Sequence, residues 1–199
     1  MPPEALFEES ADDTRTAIME ATYRALTDYG YADLTIQRIA DEFDKSKSLL
    51  YHHHDGKDDL LVDFLEFALD HFEDNVPFRD DTADERLRTL LDAVAATKPE
   101  ADEEFVGILV ELRAQAVNDD DFRDHFLGSD RFFHDHIVDI IAEGIEEGTF
   151  RDVDPEQTAS FLLTLVSGAM VRNTTGNQVA VERTRAEIRE YIDARLLAD

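Results

Sequence analysis

Residues 35–57 combine lysines with short polar and aromatic side chains. Three of the chain's four lysines, Lys45, Lys47 and Lys57, lie in this stretch, although Asp and Glu outnumber Lys and Arg by 47 to 19 over the 199 residues and the net charge is −28. The stretch itself is neutral, and both flanks are acidic. Ammonium, hydroxyl and imidazole groups are the groups that contact DNA phosphates and base edges. The sequence therefore indicates a nucleic-acid contact here, in spite of an overall charge that repels DNA.

Three consecutive histidines, His52, His53 and His54, suggest a metal site as well. Successive helical residues point about 100° apart, so their rings cannot converge on one ion. The chain has no Cys, which excludes disulfides, thiolate metal sites and Cys nucleophiles. It contains no Ser-His-Asp motif, glycine-rich phosphate loop or HExxH motif. We expect no enzyme activity, no metal and no cofactor; a carboxylate-rich metal-binding enzyme is the less favoured alternative.

Apolar residues recur with helical spacing nearly throughout the chain. Thr35 and Ser46 are expected to cap two short helices, and Asp154-Pro155 to start a later one. The longer patterns cover residues 13–29, 57–75, 84–97, 100–117, 120–147, 155–174 and 179–197. We predict an all-α chain of about nine helices, with the two short ones forming a helix-turn-helix. No apolar run reaches the roughly 18 residues of a membrane span, and the N-terminus lacks a signal pattern, so we expect a cytoplasmic protein with no membrane partner.

The chain resembles the TetR family of transcriptional repressors from about residue 13 to residue 65. The resemblance rests on Thr35, Ile39-Ala40, Ser46-Lys47, Leu50-Tyr51-His52, Lys57 and Leu60-Leu61. The C-terminal half is most similar to the branch containing the choline-responsive betaine repressor. The resemblance implies a three-helix DNA-binding domain over residues 10–56 and a helical ligand-binding and dimerisation domain over residues 57–199. It implies a homodimeric repressor that binds a palindromic operator and is released by a small-molecule effector; the alternative is a helical protein-interaction module.

The resemblance also assigns roles to individual positions of the helix-turn-helix. It implies phosphate contacts at Thr35, Ser46, Ser48, Tyr51, His52 and Lys57. The candidates for base edges are Gln37, Lys47 and Leu49, and Arg38 and Lys45 fit either role. The chain departs from the family pattern in the turn, where Asp44 and Lys45 replace Gly and an aliphatic residue. It departs again at His54, where the family has the aromatic residue that closes the second helix.

Two further sets of residues are expected in the C-terminal part. Aromatic and apolar residues between the central helices, with one histidine, are the candidates for effector binding: Phe67, His71, Phe105, Leu109, Leu112, Phe126 and Phe133. The pattern over 155–174 is apolar around most of its circumference, which predicts burial against a second copy of the chain. The predicted dimer residues are Phe161, Leu162, Leu165, Val166, Ala169, Ile188, Tyr191 and Ile192.

The acidic composition itself favours a particular cellular setting. Arg outnumbers Lys by 15 to 4, and the carboxylates are spread over many helical segments. At about 1 M salt the Debye length falls to roughly 3 Å, so that neighbouring carboxylates scarcely repel one another. The composition is typical of halophilic microbes that keep molar salt in the cytoplasm. An ordinary acidic protein is the alternative.

Overall fold

The computed structural model describes residues 6–7, 14–43, 46–75, 81–95, 103–176 and 178–198. These ranges contain nine α-helices, followed by a π-helical turn at Ile192–Leu196. The helices are α1 Thr14–Asp33, α2 Ile36–Glu42, α3 Lys47–His53, α4 Lys57–Asn75, α5 Ala83–Val94, α6 Glu103–Gln115, α7 Asp120–Glu146, α8 Pro155–Asn173 and α9 Gln178–Tyr191. The β-pairing in these ranges is a single bridge between Phe150 and Leu197. The prediction of an all-α chain is confirmed.

Two of the three predicted helix caps form as expected. The Thr35 side chain accepts a hydrogen bond from the Arg38 backbone N–H at 3.2 Å, and that of Asp154 accepts one from the Gln157 N–H at 3.1 Å. Ser46 does occupy the residue before α3, but its hydroxyl lies 2.7 Å from the Ser48 hydroxyl and makes no bond to the helix backbone. Local sequence therefore sets the start of α2 and α8 more firmly than the start of α3.

Gly30 bends α1 instead of ending it. Its backbone has φ 64° and ψ 166°, a region that is essentially restricted to glycine, and the chain then remains helical to Asp33. The bend turns the Tyr31 N–H towards the Glu111 carboxylate of α6, which accepts its hydrogen bond at 3.2 Å. A carboxylate 80 residues away in sequence thus satisfies a backbone donor at the bend.

The chain packs as two compact units. The first comprises residues 1–75 and 104–127, so α1 to α4 share a core with α6 and the start of α7. Fully buried side chains from every one of these helices meet in it: Met19, Ile39, Leu50, Phe64, Leu112 and Phe122. The core fixes the two short helices against α1 and α4, which is what a stable helix-turn-helix requires.

The second unit comprises residues 76–103 and 128–199. In its described part, α8 packs against α5 and α9. Asp92 of α5 accepts hydrogen bonds from Arg185 at 2.7 and 2.9 Å and from Arg189 at 3.3 Å, both on α9. The packing units do not coincide with the predicted functional boundary between residues 56 and 57, which stays a prediction. No described helix combines the length and the apolar character that a membrane crossing requires.

Candidate nucleic-acid interface

The core holds the inner faces of α2 and α3 and leaves their polar residues in solvent. Ile39, Ala40 and Leu50 are fully buried, while Gln37, Ser48, Tyr51 and His52 are exposed. The Arg24 guanidinium of α1 donates to the Glu42 carbonyl at 2.7 Å and so holds the last turn of α2. A short helix with a buried back and an exposed polar front has the geometry that enters a DNA major groove.

The residues of α3 and of the turn before it that are predicted to contact DNA are exposed, half-buried or outside the described residues. Tyr51 is 48% exposed, and Ser46, Ser48 and His52 are exposed with it. Leu49 is half-buried and packs against the core, which leaves only part of its side chain for a thymine methyl group. Lys45 and the side chain of Lys47 lie outside the described residues, as does Asp44, although Lys47 begins α3.

One hydrogen-bonded chain joins α2 to α3 on their exposed side. The Tyr51 hydroxyl donates to Gln37 Oε1 at 3.2 Å, and Gln37 Nε2 donates to Asp41 Oδ1 at 3.0 Å. Asp41 lies four residues after Gln37 on α2, on the same helix face. The amide of Gln37 is therefore held at both ends.

The two other cations of this region are engaged with neighbouring backbone and aromatic rings. The Arg38 guanidinium donates to the Asp33 carbonyl and lies 4.3 Å from the centre of the Tyr29 ring. Lys57, the first residue of α4, donates to the Tyr31 carbonyl at 3.1 Å, and its ammonium lies 4.0 Å from the centre of the Tyr31 ring. These contacts place both charges beside the helix-turn-helix, and the phosphate contacts assigned to these residues stay a prediction.

Tyr31 links the start of α4 to the rest of the first unit. Its hydroxyl donates to Asp58 Oδ1 at 3.1 Å, and its ring meets the edge of Phe122 on α7. Burial, together with the neighbouring Asp58 carboxylate, raises the pKa of Tyr31 to about 12. The phenol thus stays protonated and keeps donating at any ordinary pH.

His54 closes α3 through a polar chain. The residue is 8% exposed, and its Nε2 lies 2.9 Å from Asp63 Oδ2 on α4. The other oxygen of Asp63 accepts two hydrogen bonds from Arg15 of α1, at 2.7 and 3.1 Å. The buried Nδ1 atom of His54 has no hydrogen-bond partner among the described residues. The imidazole therefore fills the place of the family's aromatic residue and adds a bond that an aromatic hydrocarbon cannot make.

The predicted effector residues lie mainly in the packing of the first unit. Leu112 and Phe126 belong to its core, and Phe67, Phe105 and Leu109 pack against it. Phe105 contacts the rings of Tyr23 and Phe64, and Phe67 stacks on Phe7. His71 is half-buried in the same unit, whereas Phe133 belongs to the second unit. Effector binding by these residues stays a prediction.

A small cavity lies in the second unit, and none of the predicted effector residues is part of its lining. Its volume is about 20 Å³, and its lining includes Leu91, Val166, Ile188 and Arg88. That space holds about one water molecule. It is too small for an organic effector. Among the described residues, no three His, Asp or Glu side chains are grouped to hold a metal ion.

The predicted dimer residues divide between the core and the surface of the second unit. Five of them are buried within the chain because α8 packs on α5 and α9: Leu162, Val166, Ala169, Ile188 and Ile192. Phe161 is 46% exposed and contacts the half-buried Tyr191, and Leu165 is half-buried. The exposed residues of α8 include Phe161, Thr164, Gly168 and Val171, together with the polar residues Glu156, Gln157, Ser160 and Arg172.

The residues that hold the helix-turn-helix in place could not be predicted from the sequence. Arg15, Arg24, Asp63 and Glu111 hold the helix-turn-helix or the bend of α1, and Asp63 is 48 residues from Arg15. Charged residues are common throughout this chain, so their types carried no signal. The departure from the family pattern at His54 was the one available indication that a polar partner lay nearby.

Two protein-family models match the chain. The model of bacterial regulatory proteins of the tetR family matches residues 18–64, which include α2 and α3. The model of the C-terminal domain of BetI-type transcriptional repressors matches residues 83–197. The resemblance seen at Thr35–Leu61 and the betaine-repressor likeness of the C-terminal half are both confirmed.

The individual proteins that are similar to this chain are also regulators of transcription. The transcriptional repressor AcnR of Corynebacterium glutamicum is 23% identical over 82% of this chain and 84% of its own length. A TetR transcription regulator from Haloarcula marismortui is 40% identical, with a TM-score of 0.82 over 92% of this chain and 97% of that chain. A transcriptional regulator from Saccharomonospora viridis, solved in complex with choline, shares the fold at 22% identity, with a TM-score of 0.77 over 93% and 98% of the two chains.

The relatives and both models describe regulators of transcription and not enzymes. The models match the helix-turn-helix and most of the remaining chain, and the Haloarcula structure covers nearly all of it. The chain belongs to the TetR family of ligand-responsive transcriptional regulators.

Proposed function

We propose that this chain is a homodimeric repressor that places α3 in the major groove of a palindromic operator and leaves the DNA when a small effector binds. The observation that carries the proposal is the exposed polar front of α2 and α3 on a fully buried back. The neutral charge of residues 35–57 supports it, because the acidic remainder of the chain repels the duplex. The DNA contacts are the residues assigned above from the family pattern.

A mobility-shift assay on the DNA upstream of the protein's own gene, in high KCl, tests this proposal. Lys47→Ala and Tyr51→Ala should each weaken the complex, since Lys47 begins α3 and Tyr51 is exposed on it. Arg131→Ala is the matched control for Lys47→Ala, because it also removes one positive charge but is exposed on α7, outside the assigned DNA contacts. Equal binding by the wild type, Lys47→Ala and Tyr51→Ala would refute the assigned interface.

The partner at the exposed face of α8 is proposed to be a second copy of the chain. Phe161 and Val171 are 46% and 45% exposed on it, and Gly168 between them lets another helix approach closely. Two copies of α8 and α9 would form a four-helix interface and set two α3 helices against successive grooves. Val171→Glu should yield monomers in sedimentation equilibrium. Val117→Glu, at a residue 76% exposed in the first unit, should leave the dimer intact.

The effector is proposed to bind at the aromatic cluster of the first unit. Phe105 is half-buried and touches the rings of Tyr23 and Phe64, so an inserted ligand would rearrange helices that share a core with α4. Such a ligand releases DNA only if it binds the released arrangement more tightly than the DNA-bound one. Phe105→Ala should therefore change the effector concentration needed for release more than it changes operator affinity. The reverse pattern would remove Phe105 from the effector site.

The acidic surface is proposed to be an adaptation to molar salt. The 47 Asp and Glu residues repel a DNA duplex until salt screens them, whereas counterion release weakens binding as salt rises. The likeness to a Haloarcula regulator supports this setting. A halophilic protein should hold its fold better in molar KCl than in dilute buffer, and equal thermal stability in both would contradict the proposal.

A further inference from the structure

We infer that Gln37 reads an adenine in the operator, an inference that rests on the proposed function and names one base of its target. Gln37 is exposed on α2 and is bonded to Tyr51 of α3, so it lies where the two helices meet on their polar front. Arg38 beside it is engaged with Asp33 and Tyr29. Gln37 is thus a polar side chain of α2 that is joined directly to α3.

The neighbours of Gln37 decide which way its amide faces. The Asp41 carboxylate only accepts hydrogen bonds, so it selects the amide NH₂ group, which it meets at 3.0 Å. The amide oxygen is then the atom that accepts the Tyr51 hydroxyl at 3.2 Å. A glutamine amide has two N–H donors and two acceptor positions, and these bonds use one of each. One donor and one acceptor position of the amide therefore remain for a base.

The four bases differ in what they offer to such a pair. Adenine presents an N7 acceptor beside an N6 amino donor, which matches the amide in two hydrogen bonds. Guanine presents two acceptors, and thymine presents one acceptor with a methyl group. Both would also bring their oxygen atoms close to the Asp41 carboxylate, which repels them. Cytosine offers a single donor and makes one bond. Only adenine uses both free positions.

The proposal is tested with the duplex upstream of the protein's own gene and a set of symmetric variants carrying each base pair at each operator position. The wild type should prefer adenine at one position and its symmetry mate, by about 5- to 150-fold over the other bases. Gln37→Ala should abolish the preference there and leave the preferences at other positions unchanged, which also shows that the variant is folded. Tyr51→Phe should reduce the same preference without changing its identity.

The outcomes separate this inference from the proposed function. If the wild type binds its operator but Gln37→Ala changes no position, or changes one that prefers guanine, the assignment of adenine is overturned while the repressor function stands. If the wild type binds no duplex from the region at any KCl concentration, the proposed function fails and the inference fails with it. Loss of an adenine preference in Gln37→Ala alone, with Arg131→Ala behaving as the wild type, supports the inference.

Discussion

Replacing Asp63 with asparagine tests how α3 is anchored. One carboxylate oxygen of Asp63, Oδ1, accepts hydrogen bonds from Arg15. The other, Oδ2, lies 2.9 Å from Nε2 of the buried His54 ring. An asparagine can present its oxygen to only one of them. If its NH₂ group faces His54, the ring must accept at Nε2 and carry its proton on Nδ1, a buried atom with no partner among the described residues. An oxygen that faces His54 instead loses the bond from Arg15, whereas the arrangement with the NH₂ group facing His54 leaves a buried N–H group of His54 without a partner.

The two contacts of Asp63 contribute unequally to the stability of the fold. The Arg15 side chain is 42% exposed, so its pair with Asp63 contributes at most about 1 kcal/mol. The His54 side chain is only 7% exposed, and a hydrogen bond between a buried group and a charged acceptor contributes about 1.5–3 kcal/mol. We therefore expect Asp63→Asn to lower the free energy of unfolding by about 1.5–3 kcal/mol. Most of this loss should come from His54.

Urea denaturation followed by far-UV circular dichroism measures the effect. Asp70→Asn is the matched control, because Asp70 lies on the same helix and also pairs with Arg15, but at 3.6 Å and 63% exposed, so its loss should be below about 0.5 kcal/mol. In a His54→Phe background, Asp63→Asn should cost less than about 1 kcal/mol, since only the Arg15 pair remains. The reasoning is refuted if Asp63→Asn costs no more than Asp70→Asn, or costs the same in both backgrounds.

Three further predictions follow from other parts of the structure. A Cβ atom at Gly144 of α7 would lie 2.3 Å from the buried Phe150 ring, so Gly144→Ala should destabilise the fold by about 1–3 kcal/mol in urea denaturation. Gly128→Ala on the same helix meets nothing within 4 Å and should stabilise it by about 0.5–1 kcal/mol; equal effects would contradict the packing. Burial alone would raise the pKa of Asp92, but its hydrogen bonds and ion pairs with Arg185 and Arg189 outweigh burial and lower it. The stabilisation from these contacts is present above a pH of about 3.9, the pKa of Asp in the unfolded chain, and is lost as the pH falls through the lower pKa of the folded state. The difference in the free energy of unfolding between the wild type and Asp92→Asn should therefore shrink on acidification. A constant difference would contradict the assignment. Operator affinity should rise, or at least not fall, from low to molar KCl in fluorescence anisotropy, because salt must first screen the carboxylates that repel DNA; a steep loss over that range would contradict the salt-adapted interpretation.

The sequence predicted those features that depend on neighbouring residues. Thr35 and Asp154 cap α2 and α8 as expected, because each bonds to a backbone N–H three residues ahead. Apolar spacing likewise predicted the seven longer helices with ends no more than four residues from those observed, except that α9 ends at Tyr191 and a π-helical turn follows it. Gly30 directly follows the predicted helical pattern over residues 13–29, and it adopts a positive φ. These signals lie within one or two turns of the helix concerned.

Features that depend on distant partners could not be predicted in this way. The bend at Gly30 is completed by Glu111, and His54 is held by a carboxylate that Arg15 also binds. The apolar circumference of α8 predicted burial on several sides, but not which side chains face α5 and α9 and which stay exposed. Phe161 and Leu162 are adjacent in sequence, yet the first is 46% exposed and the second is fully buried. Only the packing of the folded chain distinguishes them.

A hydroxyl-radical footprint of the purified protein on its own upstream DNA, in molar KCl, tests the central claim most directly. A homodimer reading through two α3 helices should protect two symmetric patches whose centres lie one or more helical turns apart, about 10–10.5 base pairs each. Lys47→Ala should remove both patches together, and Arg131→Ala should leave them. A single asymmetric patch, or two patches that persist in Lys47→Ala, would contradict the account.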